Sequence, residues 1–350
     1  MSNFEKFLQN YDKSKALNIL DAVRKFGWPE PGSAIVSREL LLGDACNARC
    51  VFCCAKDLQE KAKWLPIEEI RSNLEKWAAE GAWLITFSGG EATLYPHLEE
   101  IAAYAKKCGF KSVQVLTNGL KMRDFSYVRR LAESGIDEVK ISLHGADAVT
   151  HDSLMQVPGA FDNAMIAVDN LNNAGIKASF NFAVTARNYK QMPLFAKMAG
   201  TDLGLTGICF MFSFYSGGML EGADSLGVQY KEIMPSLRLA MNYIRAKKIT
   251  IESKMLSNFV PCLAPEYANI MSDWGYSGPE ASSQVGINGK VRIVRESYPE
   301  RKELLPQCKK CIYASCCYGP DKGYVSIYGG SEFVPLKEEP KNFPHETLYP

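Results

Sequence analysis

Between residues 34 and 247 the chain repeats one unit: a short run of β-branched and aromatic residues, a turn, then a longer stretch with apolar residues every three or four positions. The short runs predict strands at 35–42, 84–87, 112–116, 138–143, 178–184 and 208–215. Helical periodicity falls at 66–80, 96–107, 125–133, 161–174, 190–199 and 228–247. Gly81, Gly109, Gly135 and Gly175 stand where four of these helices should close in left-handed caps. Parallel strands need crossover helices, so six β-α units in series mean an α/β fold with a parallel sheet. The pattern leaves two windings open, an open doubly wound sheet or an incomplete barrel; in both, ligands lie at the C-terminal ends of the strands. Ahead of the repeat a helix is expected over 4–26, broken by Pro29 and Pro31. Past Lys248 the alternation stops. A hairpin is expected at 285–294, turning on Asn288-Gly289, and Tyr324-Val-Ser-Ile-Tyr-Gly329 reads as a last strand. The expected division is an N-terminal helical extension over 1–33, an α/β domain over 34–248 and a small C-terminal domain over 249–350.

Composition narrows the class. The chain has 350 residues, 47% hydrophobic and 23% charged, which excludes a disordered, collagenous or disulfide-scaffold protein. A net charge of +1 supplies no overall field for nucleic acid or an anionic membrane, and neither is expected as a partner. The uncharged run at 203–220 reaches the length of a membrane helix, but Gly204, Gly207, Gly217 and Gly218 with Thr206, Ser213 and Ser216 favour a buried strand and a turn. Glu5 stands where a signal peptide would be basic, and no apolar stretch follows, so a cytoplasmic location is expected.

Of the 11 cysteines, eight are grouped, Cys46, Cys50, Cys53 and Cys54 in one place and Cys308, Cys311, Cys316 and Cys317 in another, while Cys108, Cys209 and Cys262 stand alone. With no secretory signal, such spacings read as metal sites rather than disulfides. The first group follows the first strand, on the edge where α/β proteins do their chemistry. Three thiolates on a tight loop can hold three corners of a [4Fe–4S] cube and leave the fourth iron open to a chelating ligand, whereas structural zinc wants four protein ligands. Cys54, adjacent to Cys53, reads as a packing residue. Phe87-Ser-Gly-Gly-Glu91 ends the second strand, and its glycines let backbone approach a ligand closely.

C-x3-C-x-aromatic-C after the first strand, with Gly-Gly-Glu after the second, resembles the radical S-adenosylmethionine (radical SAM) superfamily over about residues 34–250. The resemblance implies a partial (β/α)6 barrel of the TIM type. It implies that Cys46, Cys50 and Cys53 ligate a [4Fe–4S] cluster with an open iron, that Phe52 lies beside the adenine of S-adenosylmethionine, and that Gly89, Gly90 and Glu91 meet its methionine amino group. Thr117, Asn118, Ser142, His144 and Asn181 are similar in place to residues that contact the cofactor's ribose and carboxylate. The implied reaction is reductive cleavage to a 5′-deoxyadenosyl radical, which takes a hydrogen atom from a substrate, with flavodoxin or ferredoxin as electron donor.

The second group, Cys308-Lys-Lys-Cys311-Ile-Tyr-Ala-Ser-Cys316-Cys317, repeats the metal-ligand logic, although C-x2-C is also half of a zinc ribbon. It resembles the C-terminal auxiliary-cluster domains called SPASM and, when shortened, twitch. C-x2-C-x5-C is matched by Cys308, Cys311 and Cys317. The full SPASM pattern has further cysteines where this chain has Asp321 and Val294, so one auxiliary [4Fe–4S] cluster is expected, with Cys262 as the distant fourth ligand. Cys209, on the sixth strand, is a candidate hydrogen-atom donor, set against its reading as a small buried hydrophobe.

For the substrate, the resemblance offers peptide-modifying maturases and enzymes of sugars, nucleosides or cofactor precursors. A winged-helix peptide-recognition module would need more residues than the 33 ahead of the barrel, which favours a small molecule, although a peptide can bind without one. Oxidation or bond formation on a small molecule is therefore expected. The alternatives are peptide cross-linking or epimerisation, radical methyl transfer, and a non-enzymatic iron–sulfur protein; the last leaves Gly89-Gly90-Glu91 unexplained.

Overall fold

Six parallel strands stand side by side in chain order: β1 (Ser37–Leu41), β2 (Leu84–Ser88), β3 (Ser112–Thr117), β4 (Glu138–Ser142), β5 (Lys177–Val184) and β6 (Gly207–Phe212). They come from a computed structural model that describes residues 2–17, 37–56, 63–249, 251–252, 255–271, 282–285, 291–293, 300–339 and 348–349. Helices Ile67–Ala79, Leu98–Cys108, Phe125–Glu133 and Ala160–Ala174 fill the first four crossovers, and Tyr230–Ala246 follows β6. Gly81, Gly109, Gly135 and Gly175 all take positive φ, between +70° and +106°, a region closed to most side chains. The result is the partial barrel that the resemblance implied; the repeat alone leaves it open beside a doubly wound sheet.

Alternation along the strands assigns two faces to the sheet. Phe180 and Phe182 of β5 and Phe210 of β6 are fully buried against Phe195 of the helix Met192–Lys197, with ring centres 4.7–6.0 Å apart. The intervening residues turn to the other face, where Glu138 pairs with Lys177 at 3.4 Å and accepts a hydrogen bond from Ser179 Oγ at 2.7 Å. Parallel strands covered on both sides are normally apolar throughout. This sheet is apolar on its helix-bearing side and polar on the side that faces into the barrel.

The sheet does not stop at six strands. After β7 (Ile251–Glu252), β8 (Leu256–Ser257) adds parallel to β6, β9 (Ser282–Val285) adds parallel to β1, and β10 (Val291–Ile293) pairs antiparallel with β9. β9 and β10 are the arms of the expected hairpin; its turn lies outside the described residues. β11 (Leu348–Tyr349) pairs with β7. Segments past residue 249 therefore extend both edges of the barrel sheet.

Three expectations change. Among the described residues the N-terminal helix spans Asn3–Asn10, because Asp12 then accepts from the Ser14 N–H and starts a separate turn, Lys13–Lys15; the rest of the expected helix from residue 18 on, with Pro29 and Pro31, lies outside the described residues. The strand expected at 324–329 is the helix Lys322–Tyr328, capped by Asp321, whose carboxylate accepts from the Tyr324 N–H. Its aromatic residues, which suggested a strand, stack at helical spacing instead: the Tyr324 and Tyr328 rings are 4.9 Å apart. The helix expected at 190–199 is divided into a turn Tyr189–Gln191, the helix Met192–Lys197 and a wider turn Met198–Asp202. Among the described residues no helix is long and apolar enough to cross a membrane, and the run at 203–220 contains β6.

Candidate active site at the C-terminal edge of the sheet

The loop after β1 carries Cys46, Cys50 and Cys53, and three neighbours hold it. After β2, Gly90 and Glu91 donate their N–H groups to the carbonyls of Gly43 (2.8 Å) and Ala45 (2.7 Å). A Cβ on Gly89 would stand 2.5 Å from the Gly43 carbonyl oxygen and one on Gly90 2.4 Å from that of Ala45, so the close approach that glycine permits is to the cysteine loop itself. The second neighbour is a helix the periodicity missed, Ala148–Met155. Its last carbonyls, which a helix leaves without internal partners, accept from the cysteine loop: Val51 N–H to Leu154 O (2.9 Å) and Arg49 N–H to Met155 O (3.2 Å). The third is the turn after β6, where Gly218 N–H donates to Cys53 O at 2.9 Å and a Cβ on Gly218 would meet Val51 O at 2.5 Å. Asp147, an N-cap ahead of the missed helix, and the Gly217-Gly218 pair after β6 were the sequence signals for these contacts.

Burial pushes the Cys50 thiol up to about 12, with Cys53 and Cys46 adding to the shift, and burial likewise raises Cys46 and Cys53. Three thiolates so close together need positive charge among them, and bound metal inverts the preference by deprotonating the thiols. Cys54 is exposed.

Glu91, 2% exposed, ties three loops together. Its carboxylate accepts from Thr93 N–H (3.0 Å), Thr93 Oγ1 (2.6 Å), Thr117 Oγ1 (2.6 Å) and Asn118 N–H (2.7 Å). Both oxygens are thereby engaged within the protein, and Thr117 is directed at Glu91. Asn118 turns towards the cysteines, its Nδ2 donating to Asn47 Oδ1 at 2.7 Å and lying 4.0 Å from Cys46 Sγ.

Phe52 meets His144 edge to face, with centroids 4.7 Å apart. His144 Nδ1 accepts from the Ala183 N–H at 3.1 Å, so its proton sits on Nε2 and the neutral ring is a donor there. Burial holds His144 down at about 3. His151, fully buried on the missed helix, accepts the His144 backbone N–H on Nδ1 at 2.9 Å and is also held well below the usual range by burial. Both rings stay neutral when folded and become cationic when unfolded below about pH 6.5, so the unfolded chain binds more protons and stability falls as pH drops through that value. Between pH 7.5 and 5.5 the pair should remove about 2–3 kcal/mol. Urea midpoints at the two pH values check this; equal midpoints would contradict neutral burial.

Ser142, Asn181 and Cys209 form one row, since register pairs Ser142 with Asn181 and Asn181 with Cys209. Strand alternation puts that row on the polar face, above the Glu138–Lys177 pair and towards the cysteine-loop edge. The structure thus groups Phe52, Asn118 and His144 at the cysteines, sets Ser142, Asn181 and Cys209 inside the barrel, and uses Gly89, Gly90, Glu91 and Thr117 as the frame.

The C-terminal cysteines also come together. Cys262, Cys308, Cys311 and Cys317 line one pocket with Val260 and Phe333, and Cys316 is not among its lining residues. Burial, then the neighbouring Cys317, Cys308 and Cys311, push the Cys262 thiol up to about 12. Gly319 N–H donates to Cys317 Sγ at 3.3 Å. Among the described residues no three Cys, His, Asp or Glu side chains close in on a point as the ligands of a single ion do. Four thiols around one pocket are the number that would hold a [4Fe–4S] cluster, each cysteine on a different iron.

Comparison with known proteins agrees with this geometry. A model of the Radical SAM superfamily matches residues 40–197. The chain is 33% identical over 174 residues to Fe-coproporphyrin III synthase of Methanosarcina barkeri, covering 49% of this chain and 42% of that protein. It is 34% identical over 153 residues to the sporulation killing factor maturation protein SkfB of Bacillus subtilis, covering 44% and 37%. The matched stretch thus spans less than half of either relative. In fold, the chain is similar to SuiB of Streptococcus suis, crystallised with S-adenosylmethionine, with a TM-score of 0.63 and 14% identity over 87% of this chain and 77% of that one. The curled parallel sheet and the cysteine loop at its edge agree with that match: residues 40–197 are a Radical SAM domain, the domain of a superfamily that works with a [4Fe–4S] cluster and S-adenosylmethionine.

Proposed function

We propose that the chain is a radical SAM enzyme acting on a small polar molecule of the sugar, nucleoside or cofactor-precursor kind, by oxidation or bond formation. The observation behind this reading is the polar barrel face leading up to the row Ser142, Asn181 and Cys209, below the cysteine loop. Cys46, Cys50 and Cys53 would hold a [4Fe–4S] cluster with one open iron. Reduced and bound to S-adenosylmethionine, it supplies a 5′-deoxyadenosyl radical that removes a hydrogen atom from the substrate. Phe52 and the Nε2–H of His144 would line the adenosyl side, and Asn118 would orient the cofactor near Cys46. Ser142 and Asn181 offer hydrogen bonds within the barrel, and Cys209 beside Asn181 is positioned to return a hydrogen atom to a substrate radical. Residues 249–350 are read as a twitch/SPASM-like domain in which Cys262, Cys308, Cys311 and Cys317 would hold one auxiliary cluster. With four thiols engaged there, no iron would be left open, and the site would be suited to taking an electron rather than binding substrate.

For the electron donor, a flavodoxin or ferredoxin, support comes from a groove of about 520 Å³ beside Cys50, lined by Arg49, Lys56 and Arg187 against a single acid, Glu221. A second reading, peptide modification, is favoured by the likeness to a maturation protein and to SuiB, which has also been crystallised with the precursor peptide SuiA. Product analysis tests the proposal. Anaerobically reconstituted chain with S-adenosylmethionine and reductant is expected to release 5′-deoxyadenosine, and to do so more slowly at high ionic strength when an acidic flavodoxin is the donor. S-adenosylhomocysteine as the sole co-product would replace this reading with methyl transfer.

A further inference from the structure

His144, two residues past β4, is held from three sides. Its backbone N–H donates to His151 Nδ1 at 2.9 Å, its carbonyl accepts from Asn188 Nδ2 at 2.9 Å, and its ring Nδ1 accepts from the Ala183 N–H at 3.1 Å. Asn188 is itself buried, its Nδ2 shared with Ala183 O at 2.8 Å and its Oδ1 accepting from the Thr185 N–H at 2.7 Å. Further along the same loop, the Ala146 N–H donates to Gln191 Oε1 at 2.8 Å, and Gln191 Nε2 donates to Asp147 Oδ2 (2.6 Å) and Thr150 Oγ1 (2.7 Å). Between these anchors a Cβ on Gly145 would stand 2.8 Å from the backbone nitrogen of His151, so the loop lies directly on the helix Ala148–Met155. Every hydrogen-bonding group of His144 except its Nε2–H is thus engaged by the frame.

His151 is an expensive way to hold that loop. Because its Nδ1 accepts, its ring proton sits on Nε2, and that buried atom has no hydrogen-bond partner among the described residues. An apolar side chain would avoid the unpaired donor but would leave the His144 N–H without its acceptor. We propose that His151, with Asn188 and Gln191, is a positioning residue that fixes the loop after β4 so that the Nε2–H of His144 is presented to the nucleoside part of S-adenosylmethionine. This rests on the reading of His144 as lining the adenosyl side. A donor already held in place loses little freedom when the ligand arrives, and affinity rises accordingly.

Titration of S-adenosylmethionine into the reduced, reconstituted full chain, followed by electron paramagnetic resonance, tests this. His151→Leu removes the acceptor and is expected to weaken binding about three- to tenfold. His151→Asn, whose Oδ1 replaces Nδ1 as acceptor, is expected to restore most of the affinity. Methionine, which lacks the nucleoside, should bind both variants as it binds the parent. His144→Phe should also weaken S-adenosylmethionine binding, and adding His151→Leu to it should weaken it no further, because the one residue acts through the other. Iron content and urea midpoints on the same samples separate lost position from lost fold. If His151→Leu fails to retain iron, Gln191→Leu, half-buried at the far end of the loop, takes its place in the cycle with the same expectation. Parental affinity in the iron-replete loop variant, losses that add in the double variant, or an equal loss for methionine would overturn the positioning role. Parental affinity in His144→Phe would instead overturn the reading of His144 at the adenosyl side, so the single variants distinguish the two failures.

Discussion

Changing Cys46, Cys50 and Cys53 together to Ala is expected to lower the iron of the reconstituted chain from about eight to about four per molecule and to abolish S-adenosylmethionine cleavage. The three thiols share one loop, and burial together with mutual repulsion keeps them protonated until iron arrives. Removing them deletes every cysteine of that loop except Cys54, which is exposed. The remaining iron should stay because its proposed ligands surround a different pocket, built from Val260, Pro261, Leu304 and Phe333 around Cys262, Cys308, Cys311 and Cys317. Iron and sulfide analysis decides the matter. A fall from about four to none would leave the C-terminal thiols without a cluster.

The second large effect is expected at Glu91. Hydrogen bonds to a charged acceptor contribute about 1.5–3 kcal/mol each, and a buried donor left unpaired costs about 1–3 kcal/mol more than one in water. Glu91→Ala removes the shared partner of Thr93, Thr117 and Asn118, and is expected to destabilise the protein by about 4 kcal/mol or more and to cut iron retention severely. Glu91→Gln should also be harmful, because its amide presents hydrogens where donors already point. Thr117→Val, losing one bond of the network, should cost about 1–2 kcal/mol. Urea unfolding of the chain in the absence of S-adenosylmethionine checks these values. A Glu91→Gln variant with parental stability would mean that the carboxylate serves the cofactor rather than the frame.

The sheet and the cysteines were legible because their signals are local. Strand propensity, left-handed glycine caps and closely spaced thiols need no knowledge of distant contacts, and Gly81, Gly109, Gly135 and Gly175 took the conformation their positions required. The frame around the cysteine loop was not legible, because it is made at long range. The helix Ala148–Met155 buries His151, Leu154 and Met155 in different surroundings, so no single apolar stripe marks it, yet its carbonyls brace Arg49 and Val51. Thr117 sits where a cofactor contact was expected, but strand alternation turns it away from Ser142, Asn181 and Cys209 and towards Glu91. The helix Lys322–Tyr328 was misread because aromatic and β-branched residues suit a strand until tertiary packing offers them a face.

The central claim, that Cys46, Cys50 and Cys53 hold a cluster with an iron open to S-adenosylmethionine, is tested most directly by adding S-adenosylmethionine to the dithionite-reduced chain and recording the electron paramagnetic resonance spectrum. The signal should shift on addition in the parent and in a chain with Cys262, Cys308, Cys311 and Cys317 changed to Ala, and should not respond in the triple variant. A parent spectrum unaltered by saturating S-adenosylmethionine, or a response that persists without Cys46, Cys50 and Cys53, would contradict the account.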